Sequence, residues 1–183
     1  MDRRAILKSL AATTAALPIL SGAATTPDTG KCDSPACSSD ASAVRQFLSD
    51  FLRKEEFNLD RKPLVKLMQE RGRACCHALM FRQDLITNSK GDVDKLVELM
   101  GKIGGPANCT RAGNTITLIY PVEKCVCGWS PQRPPFPDDP YCECSAANNQ
   151  SLFASVSGKT VTVKVLESPR RGGLHYRFQI QLA

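Results

Sequence analysis

The chain has 183 residues, 42% of them hydrophobic, and carries 24 Lys and Arg against 18 Asp and Glu for a formal net charge of +6. That length suits one domain, and the basic surplus is too scattered for the concentrated stripe a nucleic-acid partner needs, so no nucleic acid is expected. Beyond the N-terminal segment no apolar run reaches the roughly 18 residues of a membrane span, which excludes a stable one.

The N-terminus reads as an export signal. Asp2-Arg3-Arg4-Ala5-Ile6-Leu7-Lys8 supplies two arginines, a variable residue, an apolar pair and a lysine, and the mildly apolar run Ser9 to Leu20 follows. Ser21-Gly22-Ala23 and Gly22-Ala23-Ala24 both place small residues at the −3 and −1 positions of a cleavage site. Residues 1–24 are therefore assigned as a twin-arginine signal peptide, with the twin-arginine translocase as partner during export and a periplasmic or extracellular destination. Loss of Arg3, Arg4, Lys8 and Asp2 with the signal leaves 21 basic against 17 acidic side chains, a net +4. Export by this route suits a cargo that folds, and often loads a cofactor, before it crosses. Replacing both arginines, Arg3→Lys with Arg4→Lys, is expected to trap the precursor inside the cell. Cell fractionation and immunoblotting check this, and normal periplasmic delivery of the double variant would refute the signal.

Residues 25–40 are polar and rich in Gly, Pro and Ser, a tether without a core-building pattern. Residues 41–183 read as a single α+β domain. Asp40 caps a helix in which Val44, Phe47, Leu48, Phe51 and Leu52 recur at helical spacing. A second helix opens at Asp60 with Pro63 in its first turn, and Leu64, Leu67, Met68, Cys75 and Leu79 form its apolar stripe. Gly72 inside that helix marks close packing or a bend. A third helix, capped near Asp92, carries Val93, Leu96, Val97 and Met100 and stops at Gly104-Gly105-Pro106.

Strand patterns follow at Asn114 to Tyr120, Leu152 to Val156, Thr160 to Leu166 and Leu174 to Leu182, with turns at Ser157-Gly158-Lys159 and Pro169 to Gly173. One-sided apolar faces call for an antiparallel sheet covered on one side, so N-terminal helices are expected to pack on one face of a C-terminal antiparallel sheet. The expected common core is Leu64, Leu67, Leu96, Val97, Ile116, Leu118, Phe153, Val161, Val163, Phe178 and Ile180.

Nine cysteines stand out, and four of them form two C-x-C pairs, Cys125-Val126-Cys127 and Cys142-Glu143-Cys144, around 14 residues holding five prolines. Prolines keep this Cys-rich loop, residues 125–144, extended. Cysteines in C-x-C rarely bond each other because the ring is strained. Cys125, Cys127, Cys142 and Cys144 are thus candidates to hold one zinc ion or an iron–sulfur unit. Disulfides such as Cys125–Cys144 with Cys127–Cys142 would staple the same loop in an oxidising compartment. Cys75, Cys76 and Cys109 are additional candidate ligands. In the core alternative Cys75 is simply buried and His77 lies on the surface, while Arg71 and Arg73 offer charge that would make a nearby thiol reactive. Cys32 and Cys37 pair with each other or stay idle. No G-x-S-x-G, phosphate-cradling glycine loop or H-E-x-x-H occurs, and His175 has no triad partner in view.

Gly72-Arg73-Ala74-Cys75-Cys76, Cys125 to Cys127, Tyr141-Cys142-Glu143-Cys144-Ser145, Leu152-Phe153, Val163 to Ser168 running into Arg171-Gly172-Gly173, and Phe178-Gln179-Ile180 together carry a resemblance. Over about residues 61–183 the chain resembles a group of mostly uncharacterised bacterial proteins similar to the L-2-amino-thiazoline-4-carboxylate hydrolase-like proteins. It is more distantly similar to the 4-vinyl reductase-like ligand-binding domains, which share an α+β fold with haem nitric-oxide sensors. The resemblance implies helices on a twisted antiparallel sheet, small-molecule or metal binding, and cysteines as working residues. It departs at the final strand, where a cysteine of that group is Tyr176 or Arg177 here.

Two classes of function follow. The favoured one is an exported binding or sensing domain with a Cys-ligated zinc or iron–sulfur site beside a small-molecule ligand. The other is an enzyme, either a metal-assisted hydrolase or a thiol redox protein using Cys75 or Cys76. A disulfide-stapled periplasmic protein without metal is the plainest alternative.

Overall fold

The computed structural model describes residues 43–44, 46–54, 59–125, 131 and 133–183. The signal, the tether and its two cysteines, and Cys127 lie outside them. Helix α1 covers residues 46–54, α2 Arg61–Ala78, α3 Met80–Ser89, α4 Val93–Gly104 and α5 Cys142–Ser157. The strands are β1 Cys109–Ala112, β2 Thr115–Tyr120, β3 Val161–Glu167 and β4 Tyr176–Leu182. They form one antiparallel sheet in the order β1-β2-β4-β3. Helices α1 to α4 precede the strands and α5 lies between β2 and β3; helices on one face of an antiparallel sheet are the α+β arrangement expected. Among the described residues no helix is long and apolar enough to cross a membrane.

Period-2 alternation explains the sheet. In β4 Tyr176, Phe178, Ile180 and Leu182 point inward, and Arg177, Gln179 and Gln181 point to water. Register sets Ile116 opposite Ile180 and Leu118 opposite Phe178, so the two central strands share one apolar face. Leu96 and Met100 of α4 and Phe153 and Val156 of α5 close over that face. Of the expected core, Leu96, Ile116, Leu118, Phe153, Val161, Phe178 and Ile180 are buried there, with Val97 and Val163 half-buried at its edge. Leu64 is buried as well, but in a second cluster with Met68, Leu52, Tyr141 and Cys144, against which Leu67 packs.

Asp60 precedes α2 without a side-chain cap, whereas α4 has one. Asp92 accepts from the backbone N–H groups of Asp94, at 2.8 Å, and Lys95, at 3.3 Å, and so caps α4. The buried stripe of α2 is Leu64, Met68, Gly72 and Cys76. Its last turn departs from the expected stripe: Cys76 is buried, whereas Cys75 is half-buried and Leu79 exposed. Cys76 continues the i+4 series of Leu64, Met68 and Gly72, and Leu79 leaves the stripe because its extended backbone, φ −84° and ψ 116°, ends α2 and starts α3 in a new direction.

Leu152 to Val156 is a correction. These residues form the last turns of α5, not a strand, because Ala146, Phe153 and Val156 recur at helical spacing from Cys142 against the sheet. Gly158 ends the helix in the left-handed region, φ 64°, donating its N–H to the Ala154 carbonyl. Ser157-Gly158-Lys159 therefore joins a helix to β3.

Candidate functional site

The α2–α3 break opens a cavity of about 580 Å³ between the helices and the sheet. Cys75 and Leu79 contribute from the end of α2, and Phe81, Arg82 and Leu85 from α3. Met100 and Ile103 of α4, Leu118 and Tyr120 of β2, and Tyr176 of β4 form the opposite walls. The first turns of α5 add Cys144, Ser145, Asn148 and Asn149, and Leu48 of α1 adds one more apolar side chain. Phe81 and Ile103, 50% and 70% exposed, mark where the cavity meets water. Its volume lies within the roughly 300–1,000 Å³ of small-molecule sites, and its lining is predominantly apolar with few polar groups, the usual make-up of such a site.

Those few polar groups converge at one place. Arg82 Nη2 donates to the Tyr120 hydroxyl at 3.0 Å and to Asn149 Oδ1 at 3.4 Å. The Tyr120 hydroxyl donates to the same Asn149 oxygen at 2.8 Å, and Asn149 Nδ2 is spent on the Ser145 carbonyl. Tyr120 also meets the Phe178 ring edge-on, with centroids 6.0 Å apart. Burial pushes the Tyr120 phenol above its ordinary pKa, against the opposing pull of the Arg82 guanidinium.

The cysteines divide between this cavity and the core. Cys75 lies half-buried on the cavity wall. Cys76 is fully buried, and burial raises its thiol pKa despite Arg82 nearby. Cys109 at the start of β1 is buried and pushed up to about 11 by desolvation. Cys142 is also pushed up to about 11, chiefly by burial, while its contact with Ser168 Oγ at 2.8 Å pulls the other way. Cys125 is half-buried and near enough to Cys142 to affect its titration.

Two residues apart on a helix means about 200° around its axis. Cys142 accordingly enters the sheet-side core, and Cys144 the cluster against α2. The two sulfurs do not point to a common centre. Among the described residues no group of three or more His, Cys, Asp or Glu side chains converges as a metal cluster, and Cys127 lies outside those residues.

The sequence pattern did not identify the cavity or its Arg82–Tyr120–Asn149 knot. One local signal was present: Arg82 shares the buried stripe of α3 with Leu85 and Ser89, a charged side chain where an apolar one would be ordinary.

No family model matches the chain. No curated protein matches it either. Among solved structures it is similar in fold to a trafficking protein particle complex subunit 3 from Naegleria fowleri, a structure covalently bound to palmitic acid. The TM-score is 0.53 at 10% sequence identity, over 80% of this chain and 96% of that one. The likeness establishes a shared α+β fold. It gives no family support to the hydrolase-like or reductase-like resemblance.

Proposed function

We propose that the chain is an exported binding domain whose cavity holds an elongated apolar small molecule. The observation that carries this reading is the cavity itself, about 580 Å³ walled mainly by Leu, Phe, Met, Ile and Tyr side chains. The fold neighbour adds support, since it is a structure covalently bound to palmitic acid. Delipidated protein titrated with a fluorescent polyene fatty acid is expected to bind it with micromolar or tighter affinity. Cys75→Trp, which fills the cavity from a half-buried position, should weaken that binding by about tenfold or more, or 1.4 kcal/mol, with little change in melting temperature. Absence of binding by the wild-type chain, or equal binding by Cys75→Trp, would overturn the assignment.

A second reading uses the Cys75 sulfur on the cavity wall. It would displace the thiol of an acyl thioester donor, leaving the acyl group as a thioester on Cys75 and releasing the donor thiol. Intact mass before and after neutral hydroxylamine separates the two, because only a thioester is cleaved. The metal site on Cys125, Cys127, Cys142 and Cys144 is a separate proposal, resting on the two C-x-C pairs. Zinc and iron analysis of the same purified sample tests it, and a metal-free protein with those thiols oxidised in pairs would replace it by disulfides.

A further inference from the structure

We infer that the cavity takes an amphipathic carboxylic acid, an apolar chain ending in a free carboxylate that pairs with Arg82. The inference rests on the apolar-ligand reading and specifies the chemistry of the ligand's polar end.

Arg82 is 7% exposed and lines the cavity, yet among the described residues no carboxylate pairs with it. Its Nε is buried and has no hydrogen-bond partner. Nη1 donates to the Met100 thioether, at 3.9 Å, a weak acceptor, and the guanidinium carbon lies 5.1 Å from the centroid of the neutral Phe81 ring. Nη2 alone is well used, on the neutral acceptors Tyr120 and Asn149. A guanidinium presents five donors in a planar fork and keeps its charge at any physiological pH. Buried charge without a counter-ion is costly, and an arginine kept in that condition is poised for an anion supplied from outside.

The number of charges selects the kind of anion. One guanidinium, with a neutral phenol and a neutral amide beside it, balances one negative charge. A carboxylate carries one, whereas a phosphate monoester carries nearer two at neutral pH and would leave charge uncompensated in an apolar cavity. A carboxylate is also the planar, charged acceptor with which a guanidinium makes its strongest hydrogen bonds. A thioester on Cys75 would offer Arg82 only a neutral carbonyl, so this inference favours the non-covalent acid.

Three probes of one chain length decide it: hexadecanoate, hexadecanol and hexadecyl phosphate, each titrated into delipidated full-length protein by calorimetry. Hexadecanoate is expected to bind about 10- to 100-fold more tightly than hexadecanol, the range for a charge-assisted pair in a desolvated site. Arg82→Met should lower hexadecanoate affinity at least tenfold and change hexadecanol less than about threefold, closing the gap between them. A purely structural arginine would move both ligands together. Equal binding of acid and alcohol by the wild-type chain would overturn the carboxylate inference and leave the apolar-ligand reading standing. Tighter binding of the phosphate than of the acid would also overturn it. Binding of none of the three would remove the apolar-ligand reading itself. Where Arg82→Met fails to fold, the wild-type ratio of acid to alcohol decides the matter alone.

Discussion

Gly72→Ala should be among the most damaging single methyl additions in this chain. A Cβ at residue 72 would sit 2.0 Å from the Cys144 carbonyl oxygen and 2.9 Å from its carbon, with the Ala147 Cβ at 3.0 Å. The obstacle is backbone in the first turn of α5, which has no rotamer by which to move aside. Helices α2 and α5 make the most extensive contact of any two elements, and Asn148 Nδ2 donates to the Gly72 carbonyl at 3.3 Å across the same point. Separating them to admit a methyl would loosen the second core cluster, where Leu64 and Met68 meet Tyr141 and Cys144. Alanine favours the helix intrinsically by about 1 kcal/mol, so a net loss has to exceed that gain. The expected net effect is a destabilisation of about 3 kcal/mol or more, at the upper end for overpacked sites. Urea unfolding measures it. A loss below about 1 kcal/mol would show that the helices are not locked at this crossing. Affinity for the proposed apolar ligand should fall too, because Cys144, Ser145 and Asn148 belong to the cavity wall.

That same glycine shows what a sequence can disclose. Gly72 inside a helical pattern signalled close approach without saying to what. Asp92 and the Gly104-Gly105-Pro106 stop marked both ends of α4, because caps are local chemistry read from adjacent residues. Strands β2, β3 and β4 were legible from alternation. Helix α3 was not, since its inward stripe of Arg82, Leu85 and Ser89 is two-thirds polar and its outward Met80 and Phe81 are apolar, which inverts the usual pattern. Strand β1 was also hidden: only Cys109 of its four residues is buried, and it exists because residues 109–112 pair with β2. The final turns of α5 looked like a strand because Leu152, Phe153 and Val156 serve a helix buried on two sides, where periodicity blurs. The cavity is the least local feature of all. Five helices and two strands contribute to it, and no stretch of adjacent residues contains its shape.

Asp139→Ala is the second substitution expected to unfold much of the chain, and the cause is charge instead of volume. Asp139 is 0% exposed, with Oδ2 lying 2.8 Å from Arg133 Nη1 and accepting from Arg170 Nε at 3.1 Å. Arg170 Nη2 approaches the same oxygen to 2.8 Å, an ion-pair contact outside hydrogen-bond geometry. Oδ1 accepts from the Tyr141 backbone N–H at 3.0 Å, just before α5 begins. The backbone carbonyl of Asp139 takes two further donors from Arg171, at 3.3 Å each, and Arg171 also pairs with Glu143 at 2.8 Å. Arg170 reaches back to the Pro131 and Arg133 carbonyls, so one carboxylate ties the proline-rich segment to the Pro169–Arg171 turn and to the start of α5. Removing it takes from the largely buried Arg170 the carboxylate that balances its charge. Breaking a buried pair in this way costs about 3–5 kcal/mol. Asp139→Asn keeps the shape and the contact with Tyr141 but removes the charge, so it should recover little of the loss. Glu98→Gln, on an exposed pair with Lys95 and Lys102, is the control and should leave the unfolding midpoint in place. If the alanine variant unfolds within about 1 kcal/mol of the wild type, this buried ion cluster does not hold the segment, and the backbone hydrogen bonds around it do.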